Sequence, residues 1–176
     1  SNWRAIAHLD AWLKAKQLVG IAGVDTRALT RRIRDLGAPT GALMHGSAKD
    51  AIDPAALTAE AAAWPGLEGM DLAKEVSCRQ SYTWDETRWR YPTGYGKLGK
   101  PRFHVVAIDY GAKRNILRSL ADQGCRVTVL PATATAEDVL ARKPDGIFLS
   151  NGPGDPMATG EYAVPTIRKQ VDSGKP

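Results

Sequence analysis

The chain reads as an α/β protein whose second half opens a parallel sheet, and three observations predict this. Residues 103–156 contain three short apolar runs, Val105-Val106-Ala107-Ile108, Val127-Thr128-Val129-Leu130 and Gly146-Ile147-Phe148-Leu149. Helical segments lie between the runs, and unbroken apolar strands that alternate with helices belong to a parallel sheet covered on both faces. The third run ends in Ser150-Asn151-Gly152-Pro153-Gly154-Asp155-Pro156. That turn falls at the carboxyl end of a strand, where open α/β sheets hold their ligands.

From the amino terminus, Asn2 can cap a first helix with Ile6, Leu9, Trp12 and Leu13 on its apolar face. Leu18-Val19-Gly20-Ile21 reads as a short strand. Asp25 or Thr26 caps the next helix, where Leu29, Ile33 and Leu36 recur at +4 and +3 before Gly37 stops it. Arg27, Arg31, Arg32 and Arg34 crowd its remaining surface, either as a solvated face or as a docking face for an acidic partner. Residues 40–45 read as another strand. Asp53-Pro54 starts an Ala-rich helix that runs to Ala63. Residues 64–71 are rich in turn formers, and residues 77–89 carry spaced aromatics with few core positions. Pro92, Gly94, Gly96, Gly99 and Pro101 mark a connector. Beyond it, Ile116, Leu117, Leu120 and Ala121 define a helix ended by Gly124. Thr135 and Asp138 form a capping-box pair at the start of another. The domains expected from this pattern are 1–87, a linker at 88–102, and 103–176.

The 176 residues suit one domain or two small ones at roughly 100–200 residues each. No apolar run approaches the ~20 residues that span a bilayer, and Ser1-Asn2-Trp3-Arg4 is no secretory signal. Two cysteines, Cys78 and Cys125, make neither a disulfide scaffold nor a zinc site, which points to reduced thiols and a cytoplasmic location. The net charge of +5 arises in residues 88–102, which hold five basic and no acidic side chains. Without stacking aromatics or a recognition motif, such a connector gives no reason to expect nucleic acid.

In the glycine-rich turn, Gly152 and Gly154 allow close backbone approach and positive φ, while Pro153 and Pro156 stiffen the loop. N–H groups held in this way suit a carboxylate, a phosphate or a developing oxyanion, although a tight turn without ligand has the same composition. Asp109-Tyr110-Gly111-Ala112-Lys113-Arg114-Asn115 follows the first strand at the same edge and is no dinucleotide fingerprint. Lys113 and Arg114 there can meet an anion or simply face solvent. Cys125 precedes an apolar strand, as a buried inert thiol would. His8, His45 and His104 show no metal-ligand spacing, and no nucleophile elbow is present. The residues thus offer a binding turn without a nucleophile.

Residues 103–118, Phe103-His104-Val105-Val106-Ala107-Ile108-Asp109-Tyr110-Gly111-Ala112-Lys113-Arg114-Asn115-Ile116-Leu117-Arg118, resemble the opening of the amidotransferase domain of carbamoyl-phosphate synthetase small subunits. Residues 147–156 are similar to the glutamine-binding loop of that family. Gly23-Val24-Asp25-Thr26-Arg27-Ala28-Leu29-Thr30-Arg31 and Gly66-Leu67-Glu68-Gly69-Met70-Asp71-Leu72-Ala73 resemble its amino-terminal domain. The resemblance runs through nearly the whole chain, in order.

The resemblance implies the later part of a small amino-terminal domain, then the first half of a class I, flavodoxin-like amidotransferase domain. It further implies glutamine hydrolysis by a Cys-His-Glu triad. Ammonia would pass to a large subunit that uses ATP, Mg and bicarbonate to make carbamoyl phosphate for arginine and pyrimidine synthesis. On this basis Gly152 and Gly154 hold the glutamine, with the Gly152 N–H as oxyanion donor. The triad residues are expected beyond Pro176, so the resemblance implies an internal piece, inactive alone, with no cofactor or metal of its own. The contrasting reading is a non-catalytic α/β module that binds a small anion on the turn and a protein through the Arg-rich helix.

Overall fold

The computed structural model describes residues 3, 5–37, 39–46 and 51–176. The chain divides into two compact units, Ser1–Gly66 and Leu67–Pro176.

The first unit carries three helices. Helix α1 (Leu9–Ala15) begins at His8, whose Nδ1 accepts the Asp10 N–H at 3.3 Å. It starts later than the sequence reading has it: Ile6 lies outside it, and Asn2 falls outside the described residues. Helix α2 (Thr26–Leu36) is capped by Asp25, which accepts the Ala28 N–H at 2.9 Å, and it ends at Gly37 with φ 84°. Helix α3 (Pro54–Ala63) has Asp53 at its cap and Pro54 in its first turn. Residues 18–21 and 40–45, expected as strands, are not strands here. An extended run becomes a strand only beside a hydrogen-bonded neighbour, and these runs pair with none among the described residues. Leu29, Ile33 and Leu36 on α2 are exposed, and no described residue of this unit is buried.

The second unit holds helix α4 (Leu72–Val76), strand β1 (Tyr82–Trp84) and a hairpin of β2 (Glu86–Arg90) and β3 (Gly94–Lys97). Strand β4 (Phe103–Asp109), helix α5 (Arg114–Asp122), β5 (Cys125–Pro131), α6 (Ala136–Leu140), β6 (Gly146–Leu149) and α7 (Pro156–Asp172) follow. The main sheet has the order β1-β5-β4-β6. Strands β5, β4 and β6 run parallel, with Val106 opposite Thr128 and Ile147, whereas β1 is antiparallel on β5. This is the mostly parallel α/β arrangement expected, wound in both directions from β4.

Each face of the sheet has its own core. Leu117 of α5 packs with Ala107, Val127 and Val129 on one face, while Val106, Ile108, Leu130, Val139 and Ala163 gather with α6 and α7 on the other. Alternate residues of β4 therefore feed opposite cores, which is why its apolar run is continuous. Full burial of each such side chain is worth about 1.5–3 kcal/mol. The capping box forms as expected: the Asp138 N–H reaches Thr135 Oγ1 and the Thr135 N–H reaches Asp138 Oδ2, both at 3.0 Å.

Most of residues 88–102, read from sequence as a linker, lie in the β2–β3 hairpin or beside it. Three of the five basic groups in this stretch meet partners. Arg90 bonds Asp122 at 3.0 Å, Lys97 pairs with Asp85 at 3.3 Å, and Arg102 donates to the Gln123 carbonyl at 3.0 Å. Arg118 from α5 bonds Glu86 at 2.6 Å and lies 4.1 Å from the Tyr95 ring centroid, pinning the hairpin to that helix. Residues 67–87, which the sequence places with the amino-terminal part, sit in this second unit: residues 69–78 bond the carboxyl edge of its sheet, and residues 82–84 pair with β5.

Candidate functional site

The turn between β6 and α7 lies at the carboxyl end of the parallel sheet, beside the end of β4. The Ser150 N–H bonds the Ile108 carbonyl at 3.1 Å, and Ser150 Oγ accepts the Tyr110 N–H at 2.9 Å. These bonds hold the start of the turn against the end of β4.

Neither turn glycine could be another residue without displacement. A β-carbon at Gly152 would overlap the Tyr110 carbonyl oxygen and lie 3.0 Å from Tyr110 Cβ. At Gly154, where φ is +89°, it would come within 2.5 Å of the Met70 carbonyl oxygen and 2.8 Å of the Leu72 nitrogen. Close approach explains the first glycine; both close approach and positive φ explain the second. Asp155 then caps α7, accepting the Met157 N–H at 2.8 Å and the Gly69 N–H at 2.9 Å. These two bonds hold its carboxyl below the ordinary aspartate range. Among the described residues, no acceptor is bonded to the N–H of Gly152 or Gly154. Two backbone donors thus remain available on a rigid turn.

Beside them is a cleft of about 330 Å³, lined by Tyr110, Leu149, Ser150, Gly152, Gly154 and Thr159 among others. The Tyr110 hydroxyl is buried without a hydrogen-bond partner among the described residues, and burial raises its pKa. Asp109 braces the turn after β4: Oδ1 accepts the N–H groups of Gly111 and Ala112 at 2.9 and 2.7 Å, and Oδ2 accepts the Cys78 N–H at 2.9 Å.

The other sequence candidates separate from this site. Lys113 caps α5 without a side-chain bond, and Arg114 begins that helix; both are exposed. Cys125 is buried in β5. Cys78 is half-buried, and its thiol is pushed up to about 11, first by burial and then by the Asp109 charge, the reverse of what activates a nucleophile. His104 lies towards the amino end of β4, with Nε2 2.8 Å from Thr128 Oγ1. Burial, then the Arg126 charge, lowers its pKa.

Sequence reasoning missed residues 67–78, which wrap the turn, and with them Asp71. The local signal was the run of turn formers at 64–71, whose Gly66 and Gly69 both stand at positive φ (85° and 75°).

An α/β sheet with unbonded backbone donors at its carboxyl edge is that of a ligand-binding domain. Comparison with known proteins narrows the class. The family model for Glutamine amidotransferase class-I matches residues 106–176, and that for the Carbamoyl-phosphate synthase small chain, CPSase domain, matches residues 1–43. The carbamoyl phosphate synthase small chain of Caulobacter vibrioides is 62% identical over 176 residues, covering 100% of this chain and 45% of the relative. That of Bradyrhizobium diazoefficiens is 58% identical over 176 residues, with 100% and 44% covered. That of Ruegeria pomeroyi is 62% identical over 173 residues, with 98% and 44% covered. Along nearly its whole length the chain is similar to carbamoyl phosphate synthase small chains, and it spans a little under half the length of these relatives. Among the described residues, no helix is long and apolar enough to cross a membrane.

Proposed function

We propose that this chain is the glutamine-holding half of an amidotransferase within a small chain that hydrolyses glutamine and supplies ammonia for carbamoyl phosphate synthesis. The observation that carries this reading is the pair of unbonded N–H groups at Gly152 and Gly154, on a turn walled by the Tyr110 and Met70 carbonyls.

The chemistry is acyl transfer. A thiolate adds to the glutamine side-chain carbonyl carbon, and negative charge develops on its oxygen. The Gly152 N–H meets that oxygen, and preorganised donors of this kind stabilise the charge without reorganising during the reaction. Gly152 and Gly154 together hold the glutamine. Neither cysteine of this chain suits that role, since Cys125 is buried in β5 and the Cys78 thiol is raised to about 11, so residues 1–176 by themselves do not turn over glutamine. Ammonia passes to a large chain, where ATP, Mg and bicarbonate complete carbamoyl phosphate for arginine and pyrimidine synthesis in the cytoplasm.

The test compares ammonia release from glutamine by the small chain at the full length of its relatives, paired with its large chain, against residues 1–176. Hydrolysis by the first and not the second is expected. A full-length protein that releases no ammonia from glutamine overturns the reading.

A further inference from the structure

Residues 67–78 do more than precede the sheet. They run as a strap across its carboxyl edge and bond to every parallel strand or its following turn. The Cys78 N–H bonds Asp109 at the end of β4, and Ser77 Oγ accepts the Ala132 N–H just after β5. Past β6, the Gly69 N–H bonds Asp155 Oδ2, and the Asp155 N–H returns to the Met70 carbonyl, both at 2.9 Å. Asp71 Oδ1 accepts the hydroxyls of Thr159 at 3.0 Å and Tyr162 at 3.2 Å, tying the strap to the first two turns of α7.

We infer that this strap is a positioning element for the Gly152–Gly154 turn, with Asp71 as its anchoring side chain. The turn lies between two walls. Tyr110, fixed to β4, backs Gly152; Met70 and Leu72, on the strap, back Gly154 at distances that leave no room for a methyl group. The sheet supplies the first wall directly. The second holds its place only as firmly as the strap is tied down, and Asp71 provides the side-chain ties to the helix that begins at the turn. Asp71 also caps α4 through the Lys74 N–H at 3.4 Å, so one carboxylate fixes both the strap's short helix and α7. Tyr162 remains a hydroxyl donor across the physiological range: burial, then the Asp71 charge, pushes its pKa up to about 12.

The inference rests on the glutamine reading of the turn, and its test separates the two. In the full-length small chain with its large chain, Asp71→Ala should lower kcat/KM for glutamine-dependent synthesis about tenfold, less than the ~10²-fold of a full 1 Å misplacement. Asp71→Asn keeps an acceptor oxygen and should return kcat/KM to within about threefold of the parent. Ammonia-dependent synthesis should not change in either. If Asp71→Ala folds poorly, Thr159→Val combined with Tyr162→Phe removes both hydroxyl donors while leaving the α4 cap, and the same loss is expected. An unchanged glutamine kcat/KM in these variants, or equal loss with ammonia, overturns the strap's role. Gly152→Ala, run alongside, tells the failures apart. A crippled Gly152→Ala with an intact Asp71→Ala sinks the strap alone, and an intact Gly152→Ala sinks the glutamine reading together with it.

Discussion

Adding one methyl group at Gly152 tests the proposed site at the atom that matters. In Gly152→Ala the new β-carbon overlaps the Tyr110 carbonyl oxygen and stands 3.0 and 3.1 Å from Tyr110 Cβ and C. Ordinary carbon contacts begin near about 3.5 Å, so one side must retreat by on the order of 1 Å. Tyr110 cannot readily do so. It is buried at the end of β4, its N–H is bonded to Ser150, and the preceding Asp109 is held by three N–H groups. The turn moves instead, carrying the Gly152 N–H away from the place proposed for the substrate oxygen. Displacement of about 1 Å costs roughly 10²-fold in rate, and complete loss of one oxyanion donor costs about 10²–10³, or ~2.7–4 kcal/mol of transition-state stabilisation. Glutamine-dependent carbamoyl phosphate synthesis by the full-length protein should fall by about 10²-fold, with ammonia-dependent synthesis unchanged. Gly160→Ala is the control in the same cleft, because its β-carbon meets only Val164 Cγ2 at 3.7 Å, an ordinary contact. Equal loss of both activities in Gly152→Ala would refute the reasoning, as would an unchanged glutamine rate.

Three further outcomes follow from the packing and the titrating groups. Leu117→Ala empties a position that is 1% exposed between α5 and the sheet; urea denaturation of the second unit should lose about 2–5 kcal/mol, and a loss below about 1 would mean the site collapses. Cys78, with its thiol raised to about 11 from an ordinary 9.0, should be alkylated by iodoacetamide at pH 8 about a hundredfold more slowly than a free thiol, site by site in mass spectrometry. The Asp155 carboxyl is held below its ordinary value by the Gly69 and Met157 N–H groups. A depressed folded pKa means that its stabilisation is present above the unfolded value, near about 4, and is lost as pH falls through the lower folded one. Asp155→Asn should therefore flatten the dependence of the urea midpoint on pH in that acid range, and an unaltered slope would count against the two bonds.

How much of this could be read beforehand depended on whether the cause was local. Strands β4 and β5 were legible because each apolar run feeds both cores, β6 because Ile147 and Phe148 pack partly buried against opposite ones, and the α6 cap because Thr135 and Asp138 are three residues apart. The glycine turn was legible as a place, from its composition and its position after a strand. Its geometry was not, since the atoms that exclude a side chain at Gly154 belong to Met70 and Leu72, more than eighty residues earlier. The hairpin was hidden for a different reason. Gly94 has φ +78° and Gly96 has no room for a β-carbon beside Thr87, so glycines suggesting a loose connector are ones a tight β-ribbon needs. The expected strands at 18–21 and 40–45 erred the other way: their apolar residues fit a strand, but strand formation depends on a neighbour that local sequence does not specify.

The same distinction bears on how the proposed chemistry is held. Backbone donors are hard to preorganise from one side, because a loop that satisfies its own N–H groups has none to offer and a loop that does not is free to move. This turn escapes the conflict by being gripped through its neighbours. Ser150 ties its entry to β4, Asp155 ties its exit to Gly69 and Met70, and the two glycines fit between carbonyl walls while their own N–H groups stay unbonded among the described residues. A rigid donor pair costs little reorganisation when charge develops. It follows that substitutions in the grip should separate glutamine from ammonia as nitrogen source as cleanly as substitutions in the turn, though by a smaller factor. The factor should grow as the altered contact moves from α7 towards Gly154.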